Sequence, residues 1–150
     1  MNELTFSAKQ RLEEIISYFG INVDAQAHET EEGIELQVAG SASTPRLIGH
    51  HGETLRAIEY LLNQMLKRAD GDAPRVSVDI AGYRAARRHA LEELASEVAQ
   101  RVADTGKEEE LKPMNPAERR IVHMVLREQP GITTESRGDG RDRHIVVMPA

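Results

Sequence analysis

Two short stretches hold residue types at spacings that could do chemistry. The first is Leu47-Ile48-Gly49-His50-His51-Gly52-Glu53-Thr54-Leu55, a Gly-x-x-Gly loop between a short apolar turn and a strong helical run. Its chemistry is anion binding. Glycines let the main chain turn sharply and come close to a ligand. The first N–H groups of the following helix lack intrahelical partners, and the helix dipole favours negative charge there. The second stretch holds Arg119 and His123, four residues apart and so on one helix face. A cationic, donor-rich face of that kind suits a phosphate or a base. The plainer alternative is an exposed polar face, with His123 bonded to a neighbouring strand. Two fixed glycines alone do not separate a phosphate clamp from an ordinary turn.

The charge distribution sharpens the choice. The chain of 150 residues carries a net charge of −6, which by itself disfavours a nucleic-acid partner. Yet residues 41–68 and 111–150 are each net +2, while residues 1–40 are net −6 and residues 69–110 are net −4. The two positive segments are the two that hold the motifs, and local charge sets what a site attracts within a Debye length. Arginine outnumbers lysine 15 to 4, which suits forked phosphate contacts, though a compositional bias explains it equally well. Aromatic content is 3% with no tryptophan, so a base-stacking platform is disfavoured. Binding would have to work by backbone clamping and an aliphatic groove beside the helix that follows the loop.

Several classes drop out. No cysteine is present, so disulfides and thiolate metal sites are excluded. Adjacent His50 and His51 on a tight loop have no nearby ligand to complete a metal set, and neither metal nor cofactor is expected. No nucleophile or acid–base pair is identifiable, so catalysis is not expected. No apolar run reaches the length of a membrane span, and the N-terminus lacks the order of a signal peptide. A cytoplasmic location is the default expectation.

The elements that must position these residues read as follows. Ala8, Leu12, Ile15, Ile16 and Phe19 mark a helix over residues 5–19, ended by Gly20. Alternation predicts strands at 21–25 and 34–38, joined as a hairpin through Glu31-Glu32-Gly33. A short helical turn at 44–48 precedes the loop. The clearest helix runs from Gly52 to Arg68, with Leu55, Ile58, Leu61, Leu62, Met65 and Leu66 inward. A strand is predicted at 75–80, then a break at Ala81-Gly82 and a long helix over 84–103. Residues 108–114 suit a short edge strand. Asn115-Pro116-Ala117-Glu118 starts another helix with a capping box. Its core stripe is expected at Ile121, Val122 and Val125, with Leu126 at the edge. Two strands at 132–137 and 143–148 close the chain through Gly138-Asp139-Gly140. Arg137, Arg141 and Arg143 cluster there. A third cluster, Arg84, Arg87 and Arg88, reads as mostly structural, since Arg88 can pair with Glu92.

The order helix-strand-strand-helix-Gly-x-x-Gly-helix-strand resembles a KH domain of type II, whose loop clamps single-stranded nucleic acid. The later run Pro113 to His123, Thr134-x-Ser136-x-Gly138 and Arg143 to Pro149 is similar to the R-3-H domain. The two in this order resemble the bacterial Jag (SpoIIIJ-associated, KhpB-like) RNA-binding family over nearly the whole chain. The resemblance implies an α+β protein, with a type II KH domain at 1–81 and a small R-3-H domain at 82–150 with a three-stranded sheet and two helices. It implies a non-catalytic binder of single-stranded RNA, with single-stranded DNA as a lesser candidate, acting as a post-transcriptional or RNA-chaperone regulator. Gly49, His50, His51 and Gly52 would form the clamp, flanked by Arg46 and Arg56. Arg119 and His123 would be the signature pair, helped by Arg120 and Arg143. A second KH protein is an implied partner. An adaptor role in membrane-protein insertion or cell-division control is the alternative.

Two departures carry expectations. RNA-binding loops of this kind commonly hold a Lys or Arg between the glycines, and here two histidines stand there, so binding should be tighter near pH 6 than near pH 8. Many family members also carry a further N-terminal domain, whose functions are not carried over. Replacing Gly49 and Gly52 by Asp is expected to weaken RNA binding and leave the fold intact.

Overall fold

The computed structural model describes residues 1–150, which form two compact units, Met1–Arg84 and Ala85–Ala150. No helix is long and apolar enough to cross a membrane.

The first unit runs α1 (Glu3–Ser17), β1 (Gln26–Thr30), β2 (Gly33–Val38), α2 (Thr44–Ile48), α3 (Glu53–Ala69) and β3 (Val76–Ile80). This is the expected order. Asn2 caps α1 by accepting from the Thr5 N–H at 2.8 Å, and Gly20 at φ 75° follows the helix end. The sheet order is β1-β2-β3, antiparallel then parallel. One face, carrying Ile34, Leu36, Val38, Val76, Val78 and Ile80, packs against Leu12 and Ile16 of α1 and Leu55, Ile58 and Leu62 of α3. Each of these buried leucines would cost about 2–5 kcal/mol if cut to alanine.

Two expectations are corrected. Residues 21–25 are not a strand, although Ile21 and Ala25 are buried. The two-residue turn Glu31-Glu32 sets Thr30 opposite Gly33 and Gln26 opposite Gln37, so pairing falls on the polar run that follows. That run is an edge strand, where polar side chains are tolerated. Leu61 also leaves the α3 stripe, being 48% exposed beside the exposed Tyr60.

The second unit comprises most of α4 (Tyr83–Thr105), then β4 (Glu109–Glu110), α5 (Pro116–Arg127), β5 (Ile132–Arg137) and β6 (His144–Pro149), with sheet order β4-β6-β5. Leu91, Ala95, Val98 and Val102 recur on one face of α4 and pack with Val122, Leu126, Ile145 and Val147. The expected edge strand at 108–114 shrinks to β4. Beyond it the Leu111 N–H still donates to the Ile145 carbonyl at 2.9 Å and the Met114 N–H to the Arg143 carbonyl at 3.3 Å, but Pro113 has no N–H to continue a ladder. The buried stripe of α5 is Glu118, Val122 and Leu126, with Ile121 and Val125 only partly buried. Glu118 lies on that stripe because its carboxylate pairs with Arg87 at 2.8 Å.

Candidate nucleic-acid interface

The loop between α2 and α3 has a conformation that ordinary residues resist. Gly49 sits at φ 71° and ψ −173°, His51 at φ 51°, and Gly52 at φ 76° and ψ 14°. Three left-handed residues in four reverse the chain between two helices. The Gly49 N–H donates to the Pro45 carbonyl at 2.9 Å, closing α2. No side chain caps α3, so its first turn presents N–H groups of the kind that bind anions. The His50 and His51 rings stack, with centroids 3.9 Å apart and planes 18° apart.

Both glycines are needed for closeness as well as for φ. A Cβ on Gly49 would stand 2.2 Å from Thr54 Oγ1, and one on Gly52 would stand 2.8 Å from the Tyr83 ring. This corrects the expectation that aspartate at these positions leaves the fold intact. Thr54 and Tyr83 were not singled out in the sequence, because nothing in their spacing says they touch a glycine.

The flanking arginines brace the loop. Arg46 Nη2 donates to the Phe19 carbonyl at 2.9 Å, and Arg56 Nη1 donates to the His51 carbonyl at 3.4 Å. Both are exposed, and a guanidinium has five N–H donors, so each retains capacity for a phosphate. Glu53, exposed in the first turn of α3, partly offsets their charge. Along the outer edge of β3, α3 presents Glu59 and Asn63, both bonded to that strand, beside its buried apolar stripe.

In the second unit Asn115 caps α5, accepting from the Glu118 N–H at 3.0 Å. Arg119 Nη1 donates to the Met114 carbonyl at 2.6 Å, and His123 Nδ1 shares a 2.6 Å hydrogen bond with Thr134 Oγ1 on β5. The plainer alternative for His123, a bond to a strand, is therefore observed. Arg119 is half-buried, while His123 and Arg120 are exposed. Arg143 Nη1 donates to the Gly138 carbonyl at 2.8 Å and holds the β5–β6 turn. Arg137 does not add to a basic patch: it lies among Glu108, Glu110 and Glu135. Arg84 and Arg87 are likewise tied, to Glu59 at 2.6 Å and to Glu118.

Comparison with known proteins fits these two units. Residues 8–80 match the family model for the KH domain of KhpA/KhpB, and residues 89–149 match that of the R-3-H domain. The chain is 34% identical over 142 residues to the RNA-binding protein KhpB of Bacillus subtilis, covering 93% of this chain and 68% of that protein. It is 33% identical over 127 residues to the RNA-binding protein KhpB of Clostridium symbiosum, covering 85% and 57%. With that of Streptococcus pneumoniae it shares 28% over 152 residues, covering 97% and 46%. The chain thus spans roughly half to two thirds of these relatives.

Proposed function

Since the chain belongs to the KhpB family of proteins that join a KH domain to an R-3-H domain, we propose that it binds single-stranded RNA without catalysing a reaction on it. We assign the KH domain to residues 1–81 and the R-3-H domain to residues 82–150. The observation that carries the reading is the left-handed Gly49–Gly52 loop opening onto an α3 that no side chain caps. That loop would hold phosphates through main-chain N–H groups, helped by His50, His51 and the remaining donors of Arg46 and Arg56. Arg119, Arg120, His123 and Arg143 would supply a second contact surface for RNA, in the second domain. With few cations at either site, affinity should be modest and fall with salt. The proposal extends to a post-transcriptional or RNA-chaperone role, to a second KH protein as partner, and to a place in the cell's interior.

Ultraviolet cross-linking in cells, followed by sequencing of recovered RNA, tests the reading. Enriched single-stranded RNA supports it. Recovery of proteins alone would replace it with an adaptor role. In purified form, replacing Arg119 and Arg120 by alanine should weaken binding without unfolding α5. Unchanged affinity would remove those residues from the RNA-binding surface.

A further inference from the structure

The outer edge of β3 is already occupied. β3 pairs with β2 on one side and ends the sheet on the other. On that outer side Asn63 Oδ1 accepts from the Val76 N–H at 2.9 Å, while its Nδ2 donates to the Val76 carbonyl at 2.7 Å and to the Glu59 carbonyl at 2.9 Å. Only one orientation of the carboxamide satisfies all three, because the flipped group would set oxygen against two carbonyls. Two residues on, Glu59 Oε2 accepts from the Val78 N–H at 2.9 Å and from Arg84 Nη2 at 2.6 Å, and Arg84 Nε donates to the Val78 carbonyl at 3.2 Å. The side chains of two helices thus supply what a further strand would.

This seal lies along the path from the loop. Asn63 meets Val76 and Glu59 meets Val78, so α3 and β3 run in opposite directions. Glu59 is seven residues from Gly52, about 10 Å along the helix, and Asn63 about 16 Å. A nucleotide chain clamped at the loop and running beside α3 would pass this edge. A base can be read there by main chain only if it offers an adjacent donor and acceptor to Val76 or Val78. The Asn63 carboxamide presents that same pair, and the Glu59–Arg84 pair does so at the next step. A base would have to displace bonds that leave part-buried polar groups unmade.

Resting on the RNA-binding reading above, we propose that the first unit grips RNA by its phosphates and does not read base identity at β3, and that Asn63 and Glu59 are the residues that bar the readout. Asn63 is then a specificity-determining residue by exclusion. Removing its carboxamide exposes the Val76 N–H and carbonyl to a base.

Amide NMR of the full chain, titrated with short homopolymeric RNAs of uridine, adenosine and cytidine, tests this. Amides of residues 49–56 should shift with every RNA, while those of Val76 and Val78 and the Asn63 side-chain NH2 stay in place. In Asn63→Ala, the Val76 amide should begin to shift, and affinities for the three RNAs should separate by about fivefold or more beyond any spread in the parent, the scale of one base-edge contact. Movement of Val76, Val78 or the Asn63 NH2 in the parent protein, for any one base, overturns the proposal even if the variant does not fold. An unchanged spread in a folded Asn63→Ala protein overturns it too. Shifts nowhere with any RNA would instead remove the RNA-binding reading, and this inference with it.

Discussion

The Tyr83 ring closes over Gly52, leaving 2.8 Å between its Cε1 and the place a Cβ would take. Gly52 is thus required by the fold, whatever the loop binds. Gly20 offers the comparison: its φ of 75° is nearly the same, but nothing lies within 4 Å of its Cβ position. Gly20→Ala should lose about 1–2 kcal/mol, the strain of a left-handed alanine. Gly52→Ala should lose that and roughly 1–3 kcal/mol more from overpacking. Denaturant unfolding of both variants measures the difference. Adding Tyr83→Ala to Gly52→Ala should restore part of the loss, and a cycle with no coupling would show that the ring does not press on residue 52.

Much of this architecture was legible because the elements announce themselves locally. Gly52 to Arg68 carries a helical stripe, Asn115-Pro116 a helix start, and the element order around the glycines a fold. What stayed hidden was decided by partners distant in sequence. The edge strand fell on Gln26–Thr30 because the Glu31-Glu32 turn sets register, overriding the better alternation of 21–25. Leu61 was placed in the core by periodicity, yet 48% of it is exposed. Glu118 reads as a surface capping residue, but Arg87, 31 residues away, draws it into the buried stripe. Of the candidate site, the loop's shape could be anticipated from its glycines. The bonds of Arg119 to Met114 and Arg143 to Gly138 could not, since a sequence shows an arginine's charge and not its partner.

The His123–Thr134 bond ties α5 to β5, so the pair should be a structural contact whatever else His123 does. Thr134→Val and His123→Ala should each lower the stability of the second unit by about 0.5–1.5 kcal/mol, and the double variant by less than the sum. If His123 also touches RNA, His123→Ala should weaken binding more than Thr134→Val at a temperature where both are folded. Equal binding losses would assign His123 a positioning role only.

Acid should loosen both units through named carboxylates. The Asn2 N–H and then the Thr5 hydroxyl hold Glu29 below the ordinary value of 4.5, and Arg101 does the same for Glu109 through its side-chain hydrogen bond. A folded value below the unfolded one means that the contribution is fully present above about pH 4.5 and is lost as pH falls through the depressed value. Glu29→Gln and Glu109→Gln should therefore unfold more easily at neutral pH and show a flatter fall in melting temperature below pH 4.5. Parallel curves for parent and variants would dismiss these groups as acid-sensitive contacts.

The Arg87–Glu118 pair should behave differently from the surface pairs. Its carboxylate side chain is 7% exposed and the guanidinium 29%, whereas Arg88 and Glu92 are 63% and 41% exposed. Arg87→Met removes a 2.8 Å partner from a carboxylate that is largely out of water, and should cost clearly more than a surface pair does. Arg88→Met should change stability by less than about 0.5 kcal/mol. Replacing both partners, as Arg87→Met with Glu118→Gln, should recover part of the loss. Equal effects of Arg87→Met and Arg88→Met in chemical denaturation would show that Glu118 does not depend on Arg87.

The two variable positions of the loop, His50 and His51, are where its side chains could act on RNA. Arg56 donates to the His51 carbonyl at 3.4 Å. The histidine pair stands beside the start of α3, which no side chain caps, so RNA binding followed across pH tests whether these side chains add charge to the clamp. Affinity for single-stranded RNA should rise from pH 8 to pH 6 by about threefold to tenfold, and each phosphate newly engaged should steepen the salt dependence of log K by about 0.7. The chain also holds His28, His89, His123 and His144, so the informative quantity is the difference between the parent and a His50→Ala/His51→Ala variant. His50 is exposed and His51 half-buried, so the fold of the variant is checked by circular dichroism, and the folded variant should lose most of the rise and the extra slope together. An identical pH response in the two proteins would place the titrating group elsewhere and leave the loop as a clamp of main-chain N–H groups alone.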